Sequence, residues 1–265
     1  MTIITYCDDY SELLQRASVQ PLQFNARTGQ GVRCIPGGEI LKVDLLSGKL
    51  PIPLNRKYRP YVAASECAWI LQGDESTEWI SKHCSIWNKF AENNQIKKSY
   101  GHRIKFQIQK VIQQLKDDPT TRRAVINLWD KNYDHNTSKN APCPTQMAIN
   151  FDGNFLNMQI FMRSSDLFVG LPYDVMTWSL ILDAIANELN YQPRYLTFFL
   201  AHAHIYEDHR VHIPNRGSHC YVIDLPGLSV SSILANMDEY VSYFKKRLQR
   251  FEPPRVFDPR PEVFE

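Results

Sequence analysis

A cysteine sits between two prolines in Asn140-Ala-Pro-Cys-Pro-Thr-Gln146. Pro142 and Pro144 fix φ and remove two backbone donors, so Cys143 is held stiffly. A thiol becomes a nucleophile when cationic neighbours lower its pKa, whereas a lone cysteine is otherwise a small buried hydrophobe. Arg163, at the far end of the hairpin that follows, is a candidate cation. Glu66 lies among Ala63, Ala64, Cys67, Trp69 and Ile70. A carboxylate in an apolar helix is paired, or neutral with a raised pKa, unless it points to solvent. His204 and Tyr206 lie two residues apart, and Asp174 opens a helix. A rigid thiol, an Arg163-Ser164 pair, a carboxylate at a helix start and a His/Tyr pair are parts for covalent catalysis on a small anionic substrate.

These groups need a scaffold. Residues 8–17 read as a short helix with Leu13 and Leu14 inward. Residues 23–32 read as a loop carrying Arg27, and residues 43–60 as a surface connection rich in Pro, Gly and basic residues. Residues 61–72 are a strongly apolar helix ended by Gly73, and 76–91 a second helical stretch. Residues 99–103 read as a loop before an amphipathic helix at 104–116. Asp118-Pro-Thr-Thr-Arg-Arg123 is a turn before a strand at 124–129, and 130–139 is a loop. Residues 147–162 form a hairpin about Asp152-Gly153. Residues 175–189 repeat apolar positions at helical spacing, and 194–206 look like strand. The proline-punctuated tail from Pro253 reads as an extended surface segment.

With 265 residues, 43% hydrophobic and 12% aromatic, the chain fits one large domain. A net charge of +2 gives no footprint for nucleic acid or membrane. None of the six cysteines forms a Cys-x-x-Cys pair, so a zinc site is not expected. No apolar run reaches the length of a membrane span, and no signal core opens the chain. The expectation is a cytoplasmic protein with reduced thiols.

Laid out together, the motifs resemble the thymidylate synthase and deoxycytidylate hydroxymethylase family from about Phe24 to about His209. The carriers are Arg27-Thr-Gly29, Glu66 followed by Trp69-Ile-Leu-Gln-Gly-Asp74, Trp87, Tyr100-Gly101, Asp118-Pro-Thr-Thr-Arg-Arg123, Pro142-Cys143, Arg163-Ser-Ser-Asp-Leu-Phe-Val-Gly-Leu-Pro172 and His204-Ile-Tyr206. The resemblance implies an α/β (α+β) single-domain fold over residues 1–265, with a large mixed sheet packed by helices and a sheet-to-sheet homodimer. It implies a Cys143 thiolate adding to C6 of a pyrimidine nucleotide, with 5,10-methylenetetrahydrofolate as one-carbon donor. Arg27, Arg163 and Ser164 would hold the phosphate, joined by Arg122 and Arg123 from the other subunit. His204 and Tyr206 would hold the sugar. Glu66 would organise water, Tyr100 would assist proton removal at C5, and Trp87 and Asp166 would face the folate or base.

Two departures bear on the substrate. Thymidylate synthases carry Asn where this chain has Asp174. An ionised carboxylate only accepts hydrogen bonds, which suits the amino edge of cytosine and repels O4 of uracil. They also carry His where this chain has Pro144. A weaker third cue is the tail, which ends with two glutamates where the family's lid is apolar. The expectation is dCMP converted to 5-hydroxymethyl-dCMP. The alternatives are 5-methyl-dCMP with dihydrofolate, thymidylate synthesis on dUMP, and an inactive nucleotide- or RNA-binding homologue.

Overall fold

A computed structural model describes residues 3–25, 28–53, 58–132, 141–213 and 220–248. Arg27 and the tail beyond residue 248 lie outside the described residues.

In chain order the elements are α1 (Ile3–Ser18), β1 (Leu22–Asn25), β2 (Gln30–Cys34), β3 (Glu39–Asp44), β4 (Lys49–Pro53), α2 (Pro60–Gln72), α3 (Tyr100–Asp117), β5 (Val125–Asn127), β6 (Pro144–Phe151), β7 (Phe155–Met162), β8 (Ser165–Asp166), α4 (Gly170–Glu188), β9 (Gln192–Leu200), β10 (Ala203–Tyr206), β11 (Cys220–Asp224), α5 (Val230–Ala235) and α6 (Met237–Leu248). Among the described residues three sheets form, in the orders β3-β9-β7-β6-β5, β1-β2-β10-β8 and β11-β4. The first is mixed: β6 and β7 pair antiparallel, whereas β7 and β9 run parallel with α4 as the crossover between them. Such a mixed sheet packed by helices is the expected α/β architecture.

The hairpin forms because Asp152-Gly153 can turn. Gly153 has φ 94°, and the Asp152 N–H donates to the Phe155 carbonyl at 3.1 Å. Met147, Ile149, Met158, Ile160 and Met162 all point inward from it. α2 and α4 are apolar nearly all round, as fully buried helices must be, and they pack on each other behind the large sheet.

Five readings from sequence need correction. The 23–32 loop is mostly the β1/β2 hairpin, with paired residues from Leu22↔Arg33 to Asn25↔Gln30. The 43–60 connection contains β4, whose Leu50 and Ile52 are core residues and which pairs with β11. The 76–91 helix is two short 3-10 helices over Ile80–Lys82 and Ser85–Phe90, curled around a small second core of Trp69, Ile80, Cys84 and Ile96. Residues 99–103 are not a loop: Ser99 caps α3, accepting the His102 N–H at 3.2 Å, so the helix begins at Tyr100. α4 likewise begins at Gly170, five residues before the expected start, which puts Asp174 inside the helix rather than ahead of it.

Gly101 shows why that start of α3 tolerates nothing larger. A Cβ there would lie 2.5 Å from the Ile70 carbonyl oxygen and 2.9 Å from the Gly73 Cα. This close approach sets Tyr100 beside the end of α2. Cys34, Cys67, Cys84 and Cys143 are free thiols, but Cys220 is disulfide-bonded, so the expectation of reduced thiols fails there. No helix among the described residues is long and apolar enough to cross a membrane.

Candidate active site

Cys143 stands immediately before β6, at the end of the hairpin where β7 also stops. The Arg163 N–H donates to the Cys143 carbonyl at 2.9 Å. The Arg163 side chain turns back over the same loop: Nε donates to the Pro142 carbonyl and Nη2 to the Ala141 carbonyl, each at 2.9 Å. Its guanidinium also lies 5.6 Å above the Trp129 ring. The Cys143 N–H, the one amide donor left between the prolines, donates to the Tyr100 hydroxyl at 3.2 Å. Arg163 therefore clamps the Cys143 loop, a role the sequence reading did not foresee. Its remaining N–H groups stay available for an anion.

Tyr100 stands edge-on to Trp87, with ring centroids 5.6 Å apart. Burial first, then the neighbouring Cys143, push its hydroxyl pKa well above the ordinary value. Trp87 Nε1 donates to Glu66 Oε1 at 3.0 Å. Thr177 Oγ1 donates to Glu66 Oε2 at 3.4 Å, and the Cys84 thiol approaches Oε1 at 3.7 Å. These donors stabilise the charged form, but desolvation exceeds them and raises the Glu66 pKa to about 7. Glu66 is thus a carboxyl poised at neutral pH, as its setting in an apolar helix led one to expect.

Asp166 Oδ1 accepts the N–H groups of Phe168 and Val169 at 3.0 and 3.1 Å, fixing the turn into α4. Its Oδ2 is buried without a hydrogen-bond partner. Gly170 lies between the two aspartates: a Cβ on it would be 3.6 Å from Asp166 Cβ and 3.9 Å from Asp174 Oδ2. Burial, then Glu66, then Asp166 push the Asp174 pKa well above the carboxylate range. The expectation of an ionised Asp174 thus meets a correction, because burial and the neighbouring carboxyls favour its neutral form.

The second sheet carries the histidine side. β10 pairs with β2 on one edge and β8 on the other, setting His204 opposite Cys34 and Asp166. His204 and Tyr206 are buried, their rings 5.4 Å apart. Ser164 is half-buried between β7 and β8. Arg122 and Arg123 are exposed on the turn before β5 and meet none of these groups. Three neighbours escaped the sequence reading. Thr177 is one helical turn from Asp174, a spacing that could have flagged it. Cys84 and His202 carried no such signal. The described residues contain no cluster of side chains suited to a metal.

The raised Glu66 pKa has a consequence for stability. The folded protein holds a proton there that the unfolded chain sheds above pH 4.5. That contribution is full below pH 4.5 and is lost as pH rises through about 7. Glu66→Gln has no such loss. The variant should therefore gain on the native protein by about 2–3 kcal/mol between pH 5 and pH 8. Thermal unfolding of both proteins across that range reads the gain, and a pH-independent difference would contradict the assigned shift.

Trp87 presents a ring in a wall with Trp69, Tyr100 and Phe90, and Asp166 presents a buried acceptor without a partner. A flat heterocycle with N–H donors fits those two features. A family model described as thymidylate synthase matches residues 8–243. That family transfers a one-carbon unit from methylenetetrahydrofolate to a pyrimidine nucleotide. The match spans most of the chain and every described site residue above, and the chain belongs to the thymidylate synthase family.

Proposed function

We propose that this chain, acting as a single catalytic domain, transfers a one-carbon unit to C5 of dCMP through a covalent Cys143–C6 adduct and releases 5-hydroxymethyl-dCMP. The observation that carries the reading is a buried carboxyl, Asp174, where uracil-specific members of the family have an amide.

Carbon 5 of cytosine is too weak a nucleophile to attack unaided. Addition of the Cys143 thiolate to C6 makes the ring an enamine. Arg163 holds the thiol loop, and its outer N–H groups, with Ser164 and Arg27, hold the phosphate. His204 and Tyr206 take the sugar. Neutral Asp174 accepts from the N4 amino group and donates its O–H to N3. As C6 is attacked, N3 gains basicity and takes that proton. The resulting carboxylate then accepts from both N3–H and N4–H, so the contact strengthens in the adduct rather than in the ground state. Uracil already carries hydrogen on N3 and places its new charge on O4, so it offers no vacant N3 to the acid.

Trp87 and Asp166 hold methylenetetrahydrofolate, which supplies the electrophilic carbon when bound. Tyr100, beside the Cys143 loop, orients the water that removes the C5 proton. Loss of that proton frees the one-carbon unit from the folate nitrogen. Once water has added to the exocyclic carbon, N3 returns its proton to Asp174 and the Cys143 sulfur leaves C6. Glu66, with its pKa near 7, positions and deprotonates the water that completes the hydroxymethyl group. Pro144 in place of the family's histidine supports a changed water network there.

We also propose a two-fold dimer. On the outer face of the large sheet Ile40, Phe199 and Phe161 are exposed side by side, in the registers Ile40↔Phe199 and Phe161↔Phe199. Such a row suits a second copy. Arg122 and Arg123 precede β5, the edge strand of that sheet, and would reach the partner's phosphate site.

Native protein given C5-tritiated dCMP and methylenetetrahydrofolate should release tritium and yield a 5-hydroxymethyl product by mass. Cys143→Ala should lower release by at least about 10³-fold. Equal release from both proteins would remove the covalent mechanism, and a 5-methyl product would remove the hydration step. Asp174→Asn can neither ionise nor donate a proton to N3 in the same way. It should shift the ratio of kcat/KM values from dCMP toward dUMP by about 10²-fold or more. Unchanged selectivity would mean that the base is read elsewhere. Separately, Arg123→Ala and Cys143→Ala proteins, each inactive alone, should regain activity on mixing, because one hybrid site has both intact groups. An inactive mixture with confirmed subunit exchange would count against shared sites.

A further inference from the structure

His202 lies in the turn between β9 and β10, two residues before the proposed sugar ligand His204. Their rings meet: His202 Nδ1 and His204 Nδ1 are 3.2 Å apart. His204 Nδ1 is also 3.1 Å from the His202 carbonyl oxygen. That carbonyl accepts a second hydrogen bond from the Ser165 N–H at 2.9 Å, which anchors the turn to β8.

Simple valence assigns the hydrogens. A carbonyl oxygen only accepts, so His204 must carry its hydrogen on Nδ1. His202 Nδ1 then faces that hydrogen with a lone pair, and its own hydrogen is on Nε2. Protonating His202 places a second N–H against the first. The conflict is relieved when the His204 hydrogen moves to Nε2 and its Nδ1 accepts from His202, the His202 carbonyl giving up that bond and keeping the Ser165 N–H as its donor. A ring nitrogen that accepted from a ligand then donates to it.

We propose that His202 is a positioning residue for His204, and that its charge state sets whether Nε2 of His204 accepts or donates toward the sugar hydroxyl. This rests on the reading of His204 as the sugar ligand. The titratable groups around the pair are Tyr206 on the same strand, Cys34 opposite on β2 and Asp166 opposite on β8. Burial first, then His204 itself, hold the His202 pKa below 6.5. At neutral pH His202 is therefore uncharged, and His204 is an acceptor suited to a free 3′-hydroxyl.

The test uses full-length protein with ¹⁵N-labelled histidine, followed by NMR from pH 5 to pH 8. At pH 8 the His204 hydrogen should sit on Nδ1, and it should move to Nε2 as His202 titrates. In His202→Asn, which cannot take a charge, it should stay on Nδ1 throughout. Binding of dCMP and of 2′,3′-dideoxycytidine monophosphate is measured alongside. The 3′-hydroxyl should be worth about fivefold to tenfold in Kd at pH 8. That advantage should fall on acidification in the native protein and remain flat in the variant. A His204 hydrogen on Nε2 at pH 8, or identical titrations in both proteins, would overturn the inference. A moving hydrogen with no preference between the two nucleotides would instead leave the coupling intact and remove the sugar assignment.

Discussion

Glu66 on α2 and Asp174 on α4 are buried carboxyls that feel one another, and Asp174 also feels Asp166 of β8. Like charges at low dielectric cannot all be held at once. Part of the Arg163 guanidinium is bound to the carbonyls of Ala141 and Pro142. Burial therefore raises the Glu66 pKa to about 7 and, with the neighbouring carboxyls, pushes that of Asp174 well above the carboxylate range. Desolvation here converts residues that are ordinarily spectators above pH 5 into groups that can give and take protons during a reaction.

The Cys143 loop depends on a different economy of hydrogen bonds. Two prolines leave the loop short of donors, and each backbone group of Cys143 is tied down: its N–H to Tyr100, its carbonyl to the Arg163 N–H. The Arg163 side chain holds the two carbonyls before it. An arginine that joins the loop on one side and presents N–H groups on the other couples two events. Seating a phosphate on those outer groups would also fix the guanidinium, and with it the direction of the sulfur. Binding a part of the substrate remote from the ring would then orient the reacting atom.

Long, strongly periodic segments were legible in the sequence. α2, the core of α4 and the hairpin about Asp152-Gly153 follow directly from apolar spacing and turn chemistry. The short strands were not. β1 has exposed residues and no alternation, so its pairing with β2 is set by the tertiary edge that β10 provides. The start of α3 was hidden by Gly101, which looks like a breaker but is needed for contact with Ile70. α6 went unread although Tyr240, Val241 and Phe244 form its buried stripe. Within the site the motif residues could be named from type and order, whereas their partners could not. Thr177 and Glu66 are 111 residues apart in the chain, and only folding brings them into contact.

Asp174 shows how far residue type alone can mislead about state. Read from the sequence, an aspartate is an ionised acceptor at neutral pH. Set in the first turns of α4 against Asp166 and Glu66, it is an acid with one donor and one acceptor, much like the amide it replaces. A neutral acid can pair with either pyrimidine edge in the ground state, so its shape alone would choose weakly. What distinguishes it from an amide is that its proton can leave. Each unit by which N3 of the adduct is more basic than the carboxylate contributes about 1.4 kcal/mol to that transfer. An amide gains nothing from the same difference. In the proposed mechanism the choice of base would be made as the covalent bond to C6 forms, and the burial that appeared to weaken the case for cytosine would be what lets the carboxyl make that choice.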